Sequence, residues 1–255
     1  MALISSTSNK KAFTLVELSI VIVIIALIIA GVAAGSSLVK QFKLRTIIAD
    51  KNMYFTAMRA FELQYGGMAG DLKNASLYWG ASNGNGDGKI IGIDEGVYAW
   101  NHLQLANLIS NGSYNGIYAI NEVPGVNIGY SRYSNIVGFH IFTFTFIGNQ
   151  WGYGTSPVYG KYNTALGVGK IVNGTVHIAA NSSFSPVEAL SLDKKIDDGK
   201  PGAGILLADN GFDTGVSSCR NGGASVASAV TASNAPTLTY LTTNTVGCRL
   251  MFIYK

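Results

Sequence analysis

From Leu18 to Val39 the chain runs for 22 residues without a charge, reading LSIVIVIIALIIAGVAAGSSLV. As an α-helix this run is roughly 33 Å long at about 1.5 Å per residue, against a hydrocarbon core near 30 Å. A core helix of a globular protein would be shorter and would show one polar face; this run shows none. It reads as a membrane-spanning segment at about 18–39, so one end of the chain belongs in lipid. Composition agrees, because only 13% of the 255 residues are charged and the mean hydropathy is +0.26, where a soluble chain carries about 25% charge. That balance excludes a disordered chain. A formal net charge of +4 without a basic tract offers no surface for reading phosphates, so nucleic acid is not expected as the main partner.

Ahead of the run stand Lys10 and Lys11, then Ala12, then Phe13-Thr14-Leu15-Val16-Glu17. A secretory signal peptide also joins a basic start to an apolar core, and Ala33-Ala34-Gly35 offers small residues to a signal peptidase. That core is usually about 7–15 residues, and a carboxylate at its leading edge costs ~2.5–3.5 kcal/mol if carried to the bilayer centre. No cysteine precedes Cys219, which excludes a lipoprotein signal. Lys10 to Leu18, followed at once by an apolar helix, resembles the class III signal of type IV pilins and of the pseudopilins of type II secretion systems. A short basic leader, a small residue before an aromatic, and a glutamate four residues after it coincide here.

The resemblance implies a leader of residues 1–12, cut between Ala12 and Phe13 by a prepilin peptidase on the cytoplasmic face. Phe13 is then N-methylated and the helix is kept in a mature chain of 243 residues. The family more often has glycine where Ala12 stands. The resemblance also gives Glu17 a role in assembly. A carboxylate at the head of a lipid-embedded helix is favoured by the helix dipole but costly without a cation. In a filament that cation would be the new N-terminal amine of Phe13 on a neighbouring subunit.

Beyond the membrane run, Lys40 to Tyr65 contains neither Gly nor Pro, and seven of its 26 residues are charged. Leu44, Ile47, Tyr54, Met58, Phe61 and Tyr65 recur at spacings of three and four, one apolar stripe interrupted at Lys51. The chain is therefore expected to begin with one long helix over 13–65, its second half amphipathic, stopped by Gly66-Gly67. The remainder, 66–255, reads as strands and turns with a few short helices. A helix is expected from Gly96 to Asn111. Val137 to Ile147 alternates, with Phe142, Phe144 and Phe146 on one face of a half-buried strand. Asn173-Gly174 marks a tight hairpin, and Ser185-Pro186-Val187-Glu188 is a capping box that starts a helix running to near Gly199. Ile205 to Ala208 and Arg249 to Tyr254 are short strands. A long helix followed by an antiparallel sheet is an α+β order, and it agrees with the pilin-like architecture, in which the sheet packs on the distal half of the helix.

Cys219 and Cys248 stand on the expected outer side of the membrane, where thiols pair. Closing such a loop, 219–248, stabilises by roughly 3–4 kcal/mol in the chain-entropy model. Many type IV pilins carry a similar disulfide-bounded loop near the C-terminus. The stretch Asn83 to Asp94 has the spacing of a calcium loop, with side-chain oxygens at Asn83, Asn85 and Asp87, glycine at Gly88 and a carboxylate at Asp94, for which Glu95 would substitute. A plain Asn/Gly turn is the alternative. Asp193, Asp197 and Asp198 read as a solvated turn into Gly199-Lys200-Pro201, with cation ligation as the alternative. No nucleophile elbow, phosphate loop or zinc-protease motif occurs, and His102, His140 and His177 are scattered, so no enzyme is expected.

By resemblance, the chain reads as a filament subunit. It would be a single-pass precursor in a bacterial inner membrane, matured there and then carried to a periplasmic or cell-surface filament. Its partners would be identical or related pilin-like subunits, the prepilin peptidase and the inner-membrane assembly machinery. The alternatives are a pseudopilin of a type II secretion system, or a membrane-tethered calcium- or glycan-binding protein that does not polymerise.

Overall fold

A computed structural model describes residues 14–119, 121–147, 150–152, 163–171, 181–211, 218–221 and 237–254. The leader with Ala12 and Phe13, and the Asn173-Gly174 hairpin, lie outside the described residues. The elements in chain order are α1 (Leu15–Tyr65), α2 (Ala75–Trp79), α3 (Gly92–Leu105), β1 (Gly129–Tyr130), β2 (Val137–Ile147), β3 (Gln150–Gly152), β4 (Asn163–Lys170), α4 (Pro186–Ile196), β5 (Leu206–Asn210) and β6 (Cys248–Ile253). It is an α+β chain of pilin-like architecture, a long N-terminal apolar helix followed by an antiparallel sheet. Packing divides it into two units, residues 1–43 and 44–255.

In the first unit the helix buries nothing. From Leu15 to Val39 every Leu, Ile and Val is 49–86% exposed. In the second unit α1 buries Leu44, Ile47, Asp50, Tyr54, Ala57, Met58 and Phe61, one stripe at helical spacing. The stripe is broken at Asp50, 1% exposed, and not at Lys51, which stays half-exposed. Asp50 is tolerated because one carboxylate oxygen accepts the Arg132 backbone N–H at 2.9 Å and the other the Arg132 Nε–H at 2.5 Å. One turn on, the Tyr54 hydroxyl donates to the Tyr130 carbonyl at 2.6 Å and accepts from Asn111 Nδ2 at 2.6 Å. Its ring meets Trp100 and Phe139 edge-on, with centroids 4.7 and 5.2 Å away. The helix stops at Gly66, whose φ of 71° places it in the left-handed region and whose N–H returns to the Glu62 carbonyl.

The sheet runs in the order β1-β2-β4-β6-β5, every pair antiparallel, with β3 paired to the far end of β2. Its register lines up two apolar rows across the strands. Phe139, Val168, Leu250 and Ala208 form one, and Ile141, Leu166, Phe252 and Leu206 the other. Both rows belong to the cluster that contains the α1 stripe. The opposite face is buried as well. Phe142 packs with Ala165, Leu207 and Met251 in a second cluster, so β2 is covered on both sides at its middle rather than half-buried. The side chains of Phe144 and Phe146 lie outside the described residues.

Several element limits differ from the sequence reading: β5 and β6 are shifted by one or two residues, and both limits of α3 move for a local reason. The helix expected over Gly96 to Asn111 is α3, which starts at Gly92 because the Glu95 side chain reaches back to the Ile91 N–H at 2.8 Å. It ends at Leu105 because Asn107, at φ 57°, takes the left-handed position of a C-terminal cap. Leu108 N–H then bonds the Leu103 carbonyl and Asn107 N–H the Gln104 carbonyl. Helix α4 begins with the Ser185–Glu188 capping box and Pro186 in the first turn, as read, but stops at Ile196.

If Asp50 fastens the sheet domain to the helix, Asp50→Ala in the full chain in detergent lowers unfolding stability by about 2–3 kcal/mol, the loss of a charge-assisted pair of hydrogen bonds. Asp50→Asn, which keeps the backbone contact, loses about half of that. Thermal unfolding followed by circular dichroism reads the order of the three proteins; equal stability of the alanine variant and the parent contradicts it.

Candidate functional site

The head of α1 begins with Thr14, the first described residue. The Thr14 hydroxyl accepts the Glu17 backbone N–H at 3.2 Å, while Glu17 Oε2 accepts the Thr14 N–H at 2.8 Å and the Thr14 hydroxyl at 3.0 Å. This is a capping box, in which two N–H groups that the first helical turn leaves unsatisfied are bonded reciprocally. Both of these bonds on the carboxylate use Oε2, and the Glu17 side chain is exposed. The sequence reading singled out Glu17 but missed Thr14 as its partner, although the T-x-x-E signal was present. Ala12 and Phe13, the cleavage pair, lie outside the described residues. Behind this head every apolar side chain to Val39 is open, and a helix bare all round in water is not stable on propensity alone. By length and composition the helix is one that can cross a membrane.

The Asn83 to Glu95 loop is organised by groups that bond backbone N–H. Asp71, 4% exposed, accepts the N–H of Gly86 at 2.6 Å, of Asp87 at 3.1 Å and of Gly88 at 2.8 Å. Glu95 accepts the N–H of Asn85 and of Ile91. Asn83 accepts from Ser76, Asn85 from Asp87, and Asp87 from Lys89. Asp94 is exposed at the start of α3. Burial, with Asp71 and Asp87 nearby, pushes the Glu95 carboxyl above its ordinary range despite its two N–H donors. His102 closes the base of the loop. Its Nδ1 accepts the Gly70 N–H at 3.0 Å, so Nε2 carries the proton and donates to the Ser82 carbonyl at 2.9 Å. Burial pushes this imidazole below its ordinary value, and it stacks against Phe61. The loop meets the segment ahead of α2 at glycines. A Cβ on Gly84 would lie 2.3 Å from the Gly70 carbonyl oxygen. The sequence reading named neither Asp71 nor His102 as a member of this loop, because their partners are backbone groups distant in the chain.

Of the acidic group expected in a solvated turn, Asp198 is exposed and Asp197 half-buried, but Asp193, in the last turn of α4, is buried. Asp193 is 0% exposed and accepts the Tyr240 hydroxyl at 2.7 Å and the Gly199 N–H at 3.0 Å. Asp197 accepts the N–H of Ile205 and of Leu206, and Asp198 accepts the Lys200 N–H at 2.8 Å. Oxygens of the three acids lie within 4.8 Å of one another. Burial, helped by Asp197 and Asp198, pushes the Asp193 carboxyl up to about 6 against the Tyr240 and Gly199 bonds. Tyr240 belongs to the loop closed by the Cys219–Cys248 disulfide. Each cysteine is followed by an arginine, and both Arg220 and Arg249 reach Asp209, at 3.0 and 3.4 Å.

Residues 7–33 match the family model described as the prokaryotic N-terminal methylation motif. The chain thus carries the prepilin-type signal of type IV pilins and pseudopilins, on a pilin-like fold. No curated protein and no solved structure matches the chain.

The raised Asp193 value has a definite consequence for stability. Between its unfolded value of 3.8 and about 6 the folded chain holds a proton that the unfolded chain releases. This contribution is therefore complete below the window and is lost as pH rises through about 6, a change of about 2–3 kcal/mol. Unfolding midpoints of the full chain between about pH 4 and pH 7 should fall along this slope, and Asp193→Asn should remove that component. An unchanged slope in the variant refutes the assignment.

Proposed function

We propose that this chain is a structural subunit of a type IV pilus-like filament. A prepilin peptidase cuts it between Ala12 and Phe13, Phe13 is N-methylated, and the mature chain polymerises through its N-terminal helix. The observation that carries this reading is the helix that begins within the methylation motif, whose apolar side chains are open from Leu15 to Val39. Lipid covers that surface in the precursor, and other subunits cover it once the chain leaves the membrane. Glu17 fits the transfer. Thr14 holds one carboxylate oxygen, which leaves the other to pair with the Phe13 amine of the next subunit. That pairing removes the cost of an uncompensated charge and sets the axial register of each incoming helix.

The test is assembly of Glu17→Ala in cells that carry the secretion or pilus machinery. The variant should be cleaved like the parent and accumulate in the membrane, while the sheared surface fraction loses it. Normal incorporation of the variant refutes the pairing. Surface filaments by electron microscopy, against a short periplasmic assembly, separate a pilus subunit from a pseudopilin of a type II secretion system, which shares the same motif.

A further inference from the structure

Where α2 meets the end of α1, the rings of Tyr65, Tyr78 and Trp79 gather at the surface. Tyr65 lies 5.3 Å from Tyr78 and 4.9 Å from Trp79 between ring centroids, and Tyr78 lies 5.4 Å from Trp79. Tyr78 is 52% exposed, while Tyr65 and Trp79 are half-buried. A helix of five residues is not stable on its own, and three contacts fix this one. Ala75 is fully buried in the core. Gly80, at φ 68°, closes the helix and donates to the Ser76 carbonyl. Asn83 Oδ1 accepts the Ser76 N–H at 2.8 Å. Behind the rings, the buried Phe61 and His102 stand 5.9 and 6.0 Å from Trp79. The aromatic group is therefore held in place by the fold itself.

From Leu63 to Gly86 the only charged residues are Asp71, buried and bonded to three backbone N–H groups, and Lys73, whose stem lies along Gly86. Glu62, the nearest charge on α1, sits 3.9 Å from Arg59. Stacking rings without cations do not suit a nucleic-acid strand, whose phosphates need a basic groove. Amides and hydroxyls border these rings instead. Asn74 stands one turn before Tyr78 and Ser76 three residues before Trp79, so each shares a face of α2 with a ring. Both are exposed, as is Asn83. The Asn74 side chain makes no cap bond. The Asn83 NH2 has no partner among the described residues, since its bond to Ser76 uses Oδ1.

We infer that this patch binds a neutral, β-linked oligosaccharide. A hexopyranose with equatorial hydroxyls presents a face of C–H groups that stacks on an aromatic ring, and a rim of hydroxyls that donate and accept. Tyr78 and Trp79 supply the stacking surface, and Asn74, Ser76 and Asn83 the partners for the rim. Neither side carries a charge that would have to be desolvated. Several rings side by side offer more than one stacking place, which favours a chain of sugars over a single one. The contact needs one copy of the protein only, so it is separate from filament assembly.

The full chain, in a detergent without a sugar headgroup, is titrated with N-acetylchitotetraose and with cellotetraose while tryptophan emission and heat are recorded. At least one of the two should bind and change the emission, through Trp79, since Trp100 is only 1% exposed. Trp79→Phe should keep the heat of binding and lose the emission change. Tyr78→Ala should weaken binding by at least about tenfold with the thermal midpoint unchanged, and Tyr78→Phe, which keeps the stacking face, should restore it. Absence of binding by both oligosaccharides overturns the proposal, as does parental affinity in Tyr78→Ala. An emission change that survives in Trp79→Phe overturns the location. Tighter binding of a single-stranded oligonucleotide or of a sulfated oligosaccharide overturns the assignment of a neutral ligand.

Discussion

Asp50 sits in the middle of an apolar stripe, 1% exposed, and its two oxygens take the backbone N–H and the guanidinium of Arg132. A carboxylate in that position is costly unless both oxygens are bonded, so helix and sheet domain can meet in only one register. Tyr54, one turn further, repeats the constraint through the Tyr130 carbonyl and Asn111. The packing of Phe139, Leu166, Leu250 and Phe252 against the same stripe follows from that register. Anchoring consumes one side of the helix and only its second half. The apolar side chains from Leu15 to Val39 stay exposed.

A surface so poor in charge raises the question of where the charges went. Some are inside, where hydrogen bonds and ion pairs hold them. Asp71 gathers three backbone N–H groups, Asp193 a tyrosine hydroxyl and an N–H, and Asp209 two arginines next to the disulfide. Such groups specify loop geometry more than they add stability, because their desolvation offsets most of the attraction. From Val97 to Val187 only Glu122, Arg132, Lys161 and Lys170 are charged. Of these Glu122 is buried and Arg132 is engaged with Asp50. A quiet exterior over a polar-stapled interior suits molecules packed side by side.

Features with local causes were legible in the sequence. The end of α1 at Gly66, the span of β2 and the Ser185 capping box each follow from residues within one or two turns of the boundary. The burial of Asp50 was not legible, since a charge in a helical stripe reads as an interruption unless its partner, 82 residues away, is known. The burial of Asp193 was not legible for the same reason: its partner Tyr240 is 47 residues distant. In the loop, the spacing of Asn83, Asn85 and Asp87 was visible, but Asp71 and His102 act on backbone groups and leave no pattern. At the helix head the glutamate was legible through resemblance, whereas its bond to Thr14 was there to be read from capping chemistry alone.

The central claim is that the apolar helix is retained and becomes the buried axis of an assembly. Intact mass spectrometry of the chain recovered from membranes and from sheared material tests this most directly. The account requires a mature chain of 243 residues that begins with N-methylated Phe13 in both fractions. A chain that still begins at Met1, or one cut after Ala34 with most of the apolar run removed, would contradict it.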